Sequence, residues 1–301
     1  MQKTKIIAVV GTNASGKSAL GIDLARRFNG EIISADSRQI FEGFDLCCGK
    51  VNAEERAMAV HHMLDVRKIG EPFSVSDFQE GCYRLIPEIA ARGRVPFIVG
   101  GTGLYVASVV RGYELMQGEP DTKLRAELEQ KELSELYPLL PADELERLRQ
   151  NPSDYRNKRR IIRCIEKSRT PRRTDRAAEP RFDALQLGLT WPMEIMEERI
   201  RKRLEQRLEE GMLDEVRDYL ASGGKPQHLY DLGLEYRYIL RYLNGEFKSE
   251  AAFKEELARA IRQFTKRQIT WFKRDESIHW LDTGGDYRAE AAALAGEFLN
   301  S

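Results

Sequence analysis

Residues Gly11 to Ser18 read GTNASGKS, a GxxxxGK[ST] octet set between the apolar run Ile6, Ile7, Ala8, Val9, Val10 and the pattern Ala19-Leu20-Gly21-Ile22-Asp23-Leu24-Ala25. Strand, glycine loop and helix in that order aim successive backbone N–H groups at an anion, and the helix N-terminus adds its partial positive charge. Gly11, Thr12, Asn13, Ala14, Ser15 and Gly16 form the cradle, Lys17 brings an ammonium, and the Ser18 hydroxyl stands where Mg²⁺ would sit. By residue frequencies alone such an octet arises in about one chain in a hundred of this length. The loop holds a phosphate; by itself it does not say whose.

The rest of the chain alternates in a way that extends this opening. Short apolar runs predict strands at Lys5 to Val10, Glu31 to Ser34, Met63 to Val66, Val95 to Val99, Leu185 to Leu189 and Ile278 to Leu281. Apolar residues at three- and four-residue steps predict helices over Gly16 to Phe28, Val75 to Arg92, Glu194 to Ser222 and Glu250 to Lys273. Strands alternating with helices imply a parallel sheet with right-handed crossovers. The expected fold is therefore α/β, a P-loop NTPase-like parallel sheet flanked by helices. From Gly118 to Phe182 no strand signal appears and charge rises around Leu124, Leu128, Leu133 and Leu136, which reads as an all-helical insertion. The expected division is 1–117 for the first part of the core, 118–183 for the insertion and 184–301 for the second part with long C-terminal helices. Pro171 to Pro180 is polar enough to read as a loop closing the insertion.

Lys and Arg number 48 and so do Asp and Glu, so any nucleic-acid surface has to come from local segregation of charge. Cys47, Cys48, Cys82 and Cys164 show no CxxC spacing, which suits a reducing compartment and implies no structural zinc. No signal-peptide pattern precedes the first strand and no apolar run approaches the ~20 residues of a membrane helix. A soluble, cytoplasmic monomer is the expectation.

The second strand runs into ISADSRQIF, Ile33 to Phe41, and so delivers Asp36 to the carboxyl edge of the sheet, beside the P-loop and where open α/β sheets bind ligands. The fourth ends in Gly100-Gly101-Thr102-Gly103-Leu104-Tyr105 instead of the acidic magnesium ligand an ATP hydrolase would show. Glycines there allow close approach by a ligand, with Thr102 offering a hydroxyl; a plain glycine turn before a helix is the simpler alternative. His61 and His62 are adjacent and lack the i, i+4 spacing of a helical zinc pair, so hydrogen-bonded loop histidines are expected.

Bases cluster three times. Arg156 to Arg176 holds ten Lys or Arg against Glu166 and Asp175. Arg199, Arg203 and Arg207 fall at four-residue steps beside Ile200, Leu204 and Leu208. Arg259 to Arg274 holds six bases and no acid, interleaved with Phe264, Trp271 and Phe272. One such run is as well explained by a solvated face, but three in a neutral chain favour a polyanion held through phosphates and stacking.

Taken together these blocks resemble the bacterial tRNA dimethylallyltransferase (tRNA isopentenyltransferase) family. The landmarks are GTNASGKS, ISADSRQIF, HHMLD at His61 to Asp65, FSVSDF at Phe73 to Phe78, VGGTGLY at Val99 to Tyr105, RRIIRCIE at Arg159 to Glu166, ERIRKRLEQRLEEGMLDEV at Glu198 to Val216 and KRQITWFKR at Lys266 to Arg274. The resemblance spans nearly the whole chain. It implies transfer of a dimethylallyl group from dimethylallyl diphosphate to N6 of the adenosine just 3′ of the anticodon (position 37), releasing diphosphate with Mg²⁺ as cofactor. It makes Asp36 the base that takes the N6 proton, Thr102 a substrate contact, and Arg199 or Arg203 the arginine on the leaving group. The tRNA anticodon stem-loop would meet Asp36, Ser37, Arg38, Gln39, Thr102, Arg125, Arg159, Arg160, Arg163, Arg237, Arg262, Lys266 and Arg267. Three departures stand out: Thr12-Asn13 for the usual Pro-Thr, Glu235-Tyr236 for Gly-Tyr, and Cys47-Cys48-Gly49-Lys50 for Gly-Thr-Ala-Lys. On the P-loop alone, a kinase of a small molecule or nucleoside is the rival.

Overall fold

The computed structural model describes residues 3–115, 121–169 and 179–301. The loop expected at Pro171 to Pro180 therefore lies, as far as Ala178, outside the described residues, and Arg172, Arg173 and Arg176 with it.

Six strands form one sheet: β1 Lys5–Gly11, β2 Gly30–Ser34, β3 His61–His62, β4 Val95–Gly100, β5 Asp183–Leu189 and β6 Ile278–Trp280. Their order is β3-β2-β4-β1-β5-β6 and every pairing is parallel. A parallel neighbour requires a crossover, and the crossovers cover both faces, which is why the strands read as unbroken apolar runs. Strand β1 shows how the faces are filled. Ile6, Ala8 and Val10 pack with Phe78, Ile86, Val106 and Phe272 on one side, while Ile7 and Val9 pack with Leu20, Leu24, Phe97 and Leu187 on the other. Each fully buried aliphatic side chain of this size contributes about 1.5–3 kcal/mol.

A third core lies among the helices Met193–Glu209, Met212–Ala221, Pro226–Leu232, Leu234–Leu243 and Glu250–Phe272. Its centre is Phe44, which meets Tyr219 and Tyr236 edge-on with ring centroids 5.4 and 5.3 Å apart. Ala14 of the P-loop belongs to the same core, so these helices are packed against the phosphate loop itself.

The contacts divide the chain into Met1–Glu114 with Glu179–Ser301, and Leu115–Ala178. Among its described residues the second unit is helical, with Thr122–Glu129, Ala142–Arg149 and Lys158–Arg169 as its longer helices. It has its own core of Leu128, Leu136, Leu140, Leu148, Ile161, Ile162 and Ile165.

Two expected elements are corrected. The strand at Met63 to Val66 is instead the two-residue β3, because Met63 and Asp65 take positive φ (61° and 55°) and the chain turns there. The helix at Glu194 to Ser222 is broken into two at Gly211, whose φ of 103° only glycine adopts without strain. Among the described residues no helix is long and apolar enough to cross a membrane.

Candidate active site

The phosphate loop runs from the end of β1 into the helix Lys17–Arg27, with Gly16 at φ 98° as the turn. The first N–H groups of that helix have no intrahelical acceptor, so they remain available to an anion. The loop's carbonyls, by contrast, are tied back. Lys17 Nζ donates to Thr12 O at 3.2 Å. Arg199 Nε donates to Ala14 O at 2.7 Å, and Trp191 Nε1 donates to Ser15 O at 2.8 Å. The Arg199 guanidinium also lies 5.0 Å from the Trp191 ring centroid. Thr12 is wholly buried with its hydroxyl toward Met196 Sδ, so the Thr12-Asn13 departure changes what packs behind the loop.

Gln268, on the helix Glu250–Phe272, joins two of the loops. It accepts from Asn13 N–H at 2.9 Å and donates to Gly101 O at 3.0 Å. Gln268→Ala leaves the buried Gly101 carbonyl unpaired, at about 1–3 kcal/mol, and frees the half-buried Asn13 N–H at the pocket wall. Thermal melts are expected to show a midpoint lowered by several degrees, with binding of inorganic diphosphate weakened in the same variant.

Asp36 follows β2. Its Oδ1 accepts from Arg38 N–H at 2.9 Å, and Oδ2 has no hydrogen-bond partner among the described residues. Thr102 braces this turn: Ser37 N–H donates to Thr102 Oγ1 at 3.0 Å, and Thr102 N–H donates to Ala35 O at 3.1 Å. Gln39 accepts from Ser34 Oγ and donates to Gly49 O, which fixes the turn to the segment carrying Cys48. That segment is anchored by Lys50, whose buried ammonium meets Asp45 and Asp65. The last residue of HHMLD is thus a counterion, and the two histidines are hydrogen-bonded, His61 to Ala59 O and His62 to Glu31.

These pieces enclose one pocket. It is lined by Asn13, Ala14, Lys17, Ser18, Asp36, Gln39, Cys48, Gly49, Arg203, Arg207 and Glu235, with Ile200, Leu204, Met212 and Ile261 as an apolar wall. Burial, with repulsion from Arg203 and Arg207 and partial relief from Asp36, brings the Lys17 ammonium down to about 8. Burial and the neighbouring Arg207 bring Arg203 down to about 10. Burial raises the Glu235 carboxyl and the Cys48 thiol above their ordinary values. A pocket whose cations are destabilised by one another and by lost water is built to receive a multivalent anion.

Of the predicted residues, Asn13, Ala14, Lys17, Ser18, Asp36, Gln39 and Arg203 come together in this pocket. Arg199 and Thr102 hold the surrounding backbone instead. Arg38 packs against Gly233, and Arg237 donates to Tyr230 O with its guanidinium over the Tyr230 ring. Arg262 pairs with Glu197, while Lys266 and Arg267 are exposed. In the helical unit, Arg125 and Arg163 meet Glu166, and Arg160 meets Asp154. Arg159, also on that unit's last helix, is exposed. Gln268 carried no sequence signal, since its role depends on partners 255 and 167 residues away.

The comparisons with known proteins agree with this geometry. The family model described as IPP transferase matches residues 39–275. A tRNA dimethylallyltransferase 2 of Shewanella sediminis is 38% identical, covering 99% of this chain and 99% of its own. A tRNA dimethylallyltransferase of Lactococcus lactis subsp. cremoris is 40% identical with full coverage of both chains. Among solved structures, the tRNA isopentenylpyrophosphate transferase of Bacillus halodurans superposes with a TM-score of 0.72 at 32% identity, over 99% of this chain and 98% of that one. A eukaryotic dimethylallyltransferase acting on tRNA superposes with a TM-score of 0.82 at 25% identity, over 99% and 80% respectively. With a parallel sheet carrying the P-loop, an acid and a base-lined pocket at one edge, and relatives matched end to end, the chain belongs to the IPP transferase family.

Proposed function

We propose that this protein transfers a dimethylallyl group from dimethylallyl diphosphate to N6 of the adenosine 3′-adjacent to the anticodon of tRNA, releasing diphosphate. The observation that carries the reading is the single pocket that brings Lys17 and Arg203 together with Asp36 and with the apolar residues Ile200, Leu204, Met212 and Ile261. The cations and the helix N-terminus receive the diphosphate, the apolar wall receives the five-carbon group, and the carboxylate receives the amine.

The N6 lone pair forms a bond to the allylic carbon while that carbon's bond to the diphosphate oxygen breaks, and the electron pair leaves with the diphosphate. The lone pair of an adenine amine is delocalised into the ring, so the attack needs a base. Asp36 Oδ2 is free to take the N6 proton, whereas Oδ1 is held by the Arg38 N–H. Lys17 and Arg203 stabilise the charge that develops on the leaving group. The target base must leave the anticodon-loop stack to reach a pocket at the sheet edge, the logic of flipped nucleotides.

Mg²⁺ fits as the cofactor. Ser18 lines the pocket one residue beyond Lys17, and no three His, Cys, Asp or Glu among the described residues form a cage of their own. A hard cation held by one hydroxyl, phosphate oxygens and waters matches that donor set. When bound it neutralises charge on the diphosphate. We read the exposed bases Lys266 and Arg267 as phosphate contacts for the tRNA stem, and a cytoplasmic monomer as the working form.

The test incubates the purified protein, Mg²⁺ and unmodified tRNA with either dimethylallyl diphosphate or ATP, then digests the RNA and weighs its nucleosides by mass spectrometry. Dimethylallyl-adenosine formed only with the isoprenoid donor is the expected result. ATP consumption with small acceptors and no prenylated nucleoside would replace this reading with the kinase.

A further inference from the structure

Arg207 lies one helical turn beyond Arg203 and lines the same pocket, yet the chemistry above gives it no task. Its surroundings are unusual for an arginine. A Cβ built on Gly49 would collide with Arg207 and Arg203 at once, which puts a terminal nitrogen of each guanidinium within about 4 Å of the other's. Neither arginine forms an ion pair with a carboxylate among the described residues; Arg203 donates only to Gly49 O, at 3.3 Å. Elsewhere on this helix Arg201 pairs with Glu255 and Arg199 holds carbonyls. The acids whose charge reaches Arg203 are Glu235, at the start of the helix Leu234–Leu243, with Asp36 and Glu55, and none of them forms an ion pair with either guanidinium among the described residues.

Two guanidinia side by side, neither in an ion pair among the described residues and lining one pocket with Lys17, form a seat for a group with several anionic oxygens. A single phosphate fills the backbone cradle of the P-loop; a diphosphate presents a second phosphoryl group that needs its own donors. We propose that Arg203 and Arg207 together seat that second phosphoryl group, which makes Arg207 a further substrate-binding residue. Gly49 belongs to the seat, because any side chain there would occupy the place of both guanidinia. The arrangement selects diphosphates over monophosphates. This inference rests on the transferase reading for the identity of the donor, but not for the presence of the seat.

The test titrates inorganic diphosphate and, separately, inorganic phosphate into the intact protein with Mg²⁺, for wild type, Arg207→Gln and Arg207→Lys, and follows each by calorimetry. Arg207→Gln is expected to weaken diphosphate about 10- to 100-fold, the loss of hydrogen bonds to a charged group. Phosphate binding should change by less than about threefold, since the P-loop is intact. Arg207→Lys keeps the charge without the fork and should fall between wild type and Arg207→Gln. The KM for dimethylallyl diphosphate should rise with the diphosphate dissociation constant, and affinity for tRNA should not move. Diphosphate affinity within twofold of wild type in a folded Arg207→Gln would overturn the proposal. If that variant unfolds on a thermal melt, Arg207→Lys decides by the same titration: a weakening of diphosphate specifically supports the seat, and unchanged affinity removes it. Diphosphate binding that depends on Arg207 in a protein that prenylates no tRNA would leave the seat standing and remove the transferase reading instead.

Discussion

Asp36→Asn is expected to lower single-turnover prenyl transfer by about 10²–10⁴-fold while the protein still binds tRNA and inorganic diphosphate. The substitution is isosteric, and the Asn carbonyl can still accept the Arg38 N–H, so the turn braced by Thr102 keeps its shape. What it removes is the group that takes the N6 proton. There is a secondary effect on the same pocket. The Asp36 charge partly offsets the burial and arginine repulsion that act on Lys17, so its loss pushes that ammonium further down. Diphosphate binding in Asp36→Asn should consequently weaken at alkaline pH more than in wild type. The decisive measurement is product formed per enzyme in one turnover at saturating donor and tRNA, beside filter-binding of the same tRNA. Transfer at the wild-type rate would remove Asp36 from the role of base. Loss of tRNA binding in parallel with transfer would instead make it a residue of the RNA surface.

Much of this was legible in the sequence because it is local. The octet Gly11 to Ser18 states its own geometry, and the position of Asp36 follows from where β2 ends. Length and apolar continuity gave β1, β2, β4 and β5 within a residue or two, since strands buried on both faces leave an unmistakable run. The edge of the sheet was harder. Met63 to Val66 has the composition of a strand, but its backbone turns twice through positive φ so that Asp65 can reach Lys50 and Arg56. That pull comes from charges elsewhere in the chain, which no periodicity reveals. The arginines show the same limit in another form. Arg199, Arg203 and Arg207 read as one basic stripe beside an apolar ridge, yet the structure sends the first to the P-loop carbonyls and the other two into the pocket. A spacing of four residues places side chains on one helical face; what each then meets is decided by the Gly49 segment and the P-loop packed against that face. Glu235, visible only as a departure from the family's Gly-Tyr, proves to be a half-buried acid in the same pocket, its carboxyl raised above its ordinary value by lost hydration.

Lys17→Met is expected to separate stability from binding, in opposite directions. Lys17 is only 9% exposed, and its ammonium falls from the ordinary 10.5 to about 8 in the folded protein, chiefly through burial. A lowered lysine value means that the folded state binds the proton less tightly than the unfolded chain does. The penalty is therefore full below pH 8 and fades as pH rises from 8 toward 10.5. Its upper limit is about 3 kcal/mol. Methionine keeps the length of the stem without the charge, so at pH 7 the variant should melt several degrees above wild type, a difference that narrows toward pH 10. Adding diphosphate should invert the order. Wild type gains about 2.7 kcal/mol at a hundredfold excess over its dissociation constant, and the variant, which has lost the ammonium facing the anion, gains little. The melting curves of the two proteins would then cross as diphosphate is titrated. A variant less stable than wild type in the absence of ligand would show that the Lys17 bond to Thr12 O outweighs the cost of burying the charge. A variant stabilised by diphosphate as strongly as wild type would place the anion away from the P-loop.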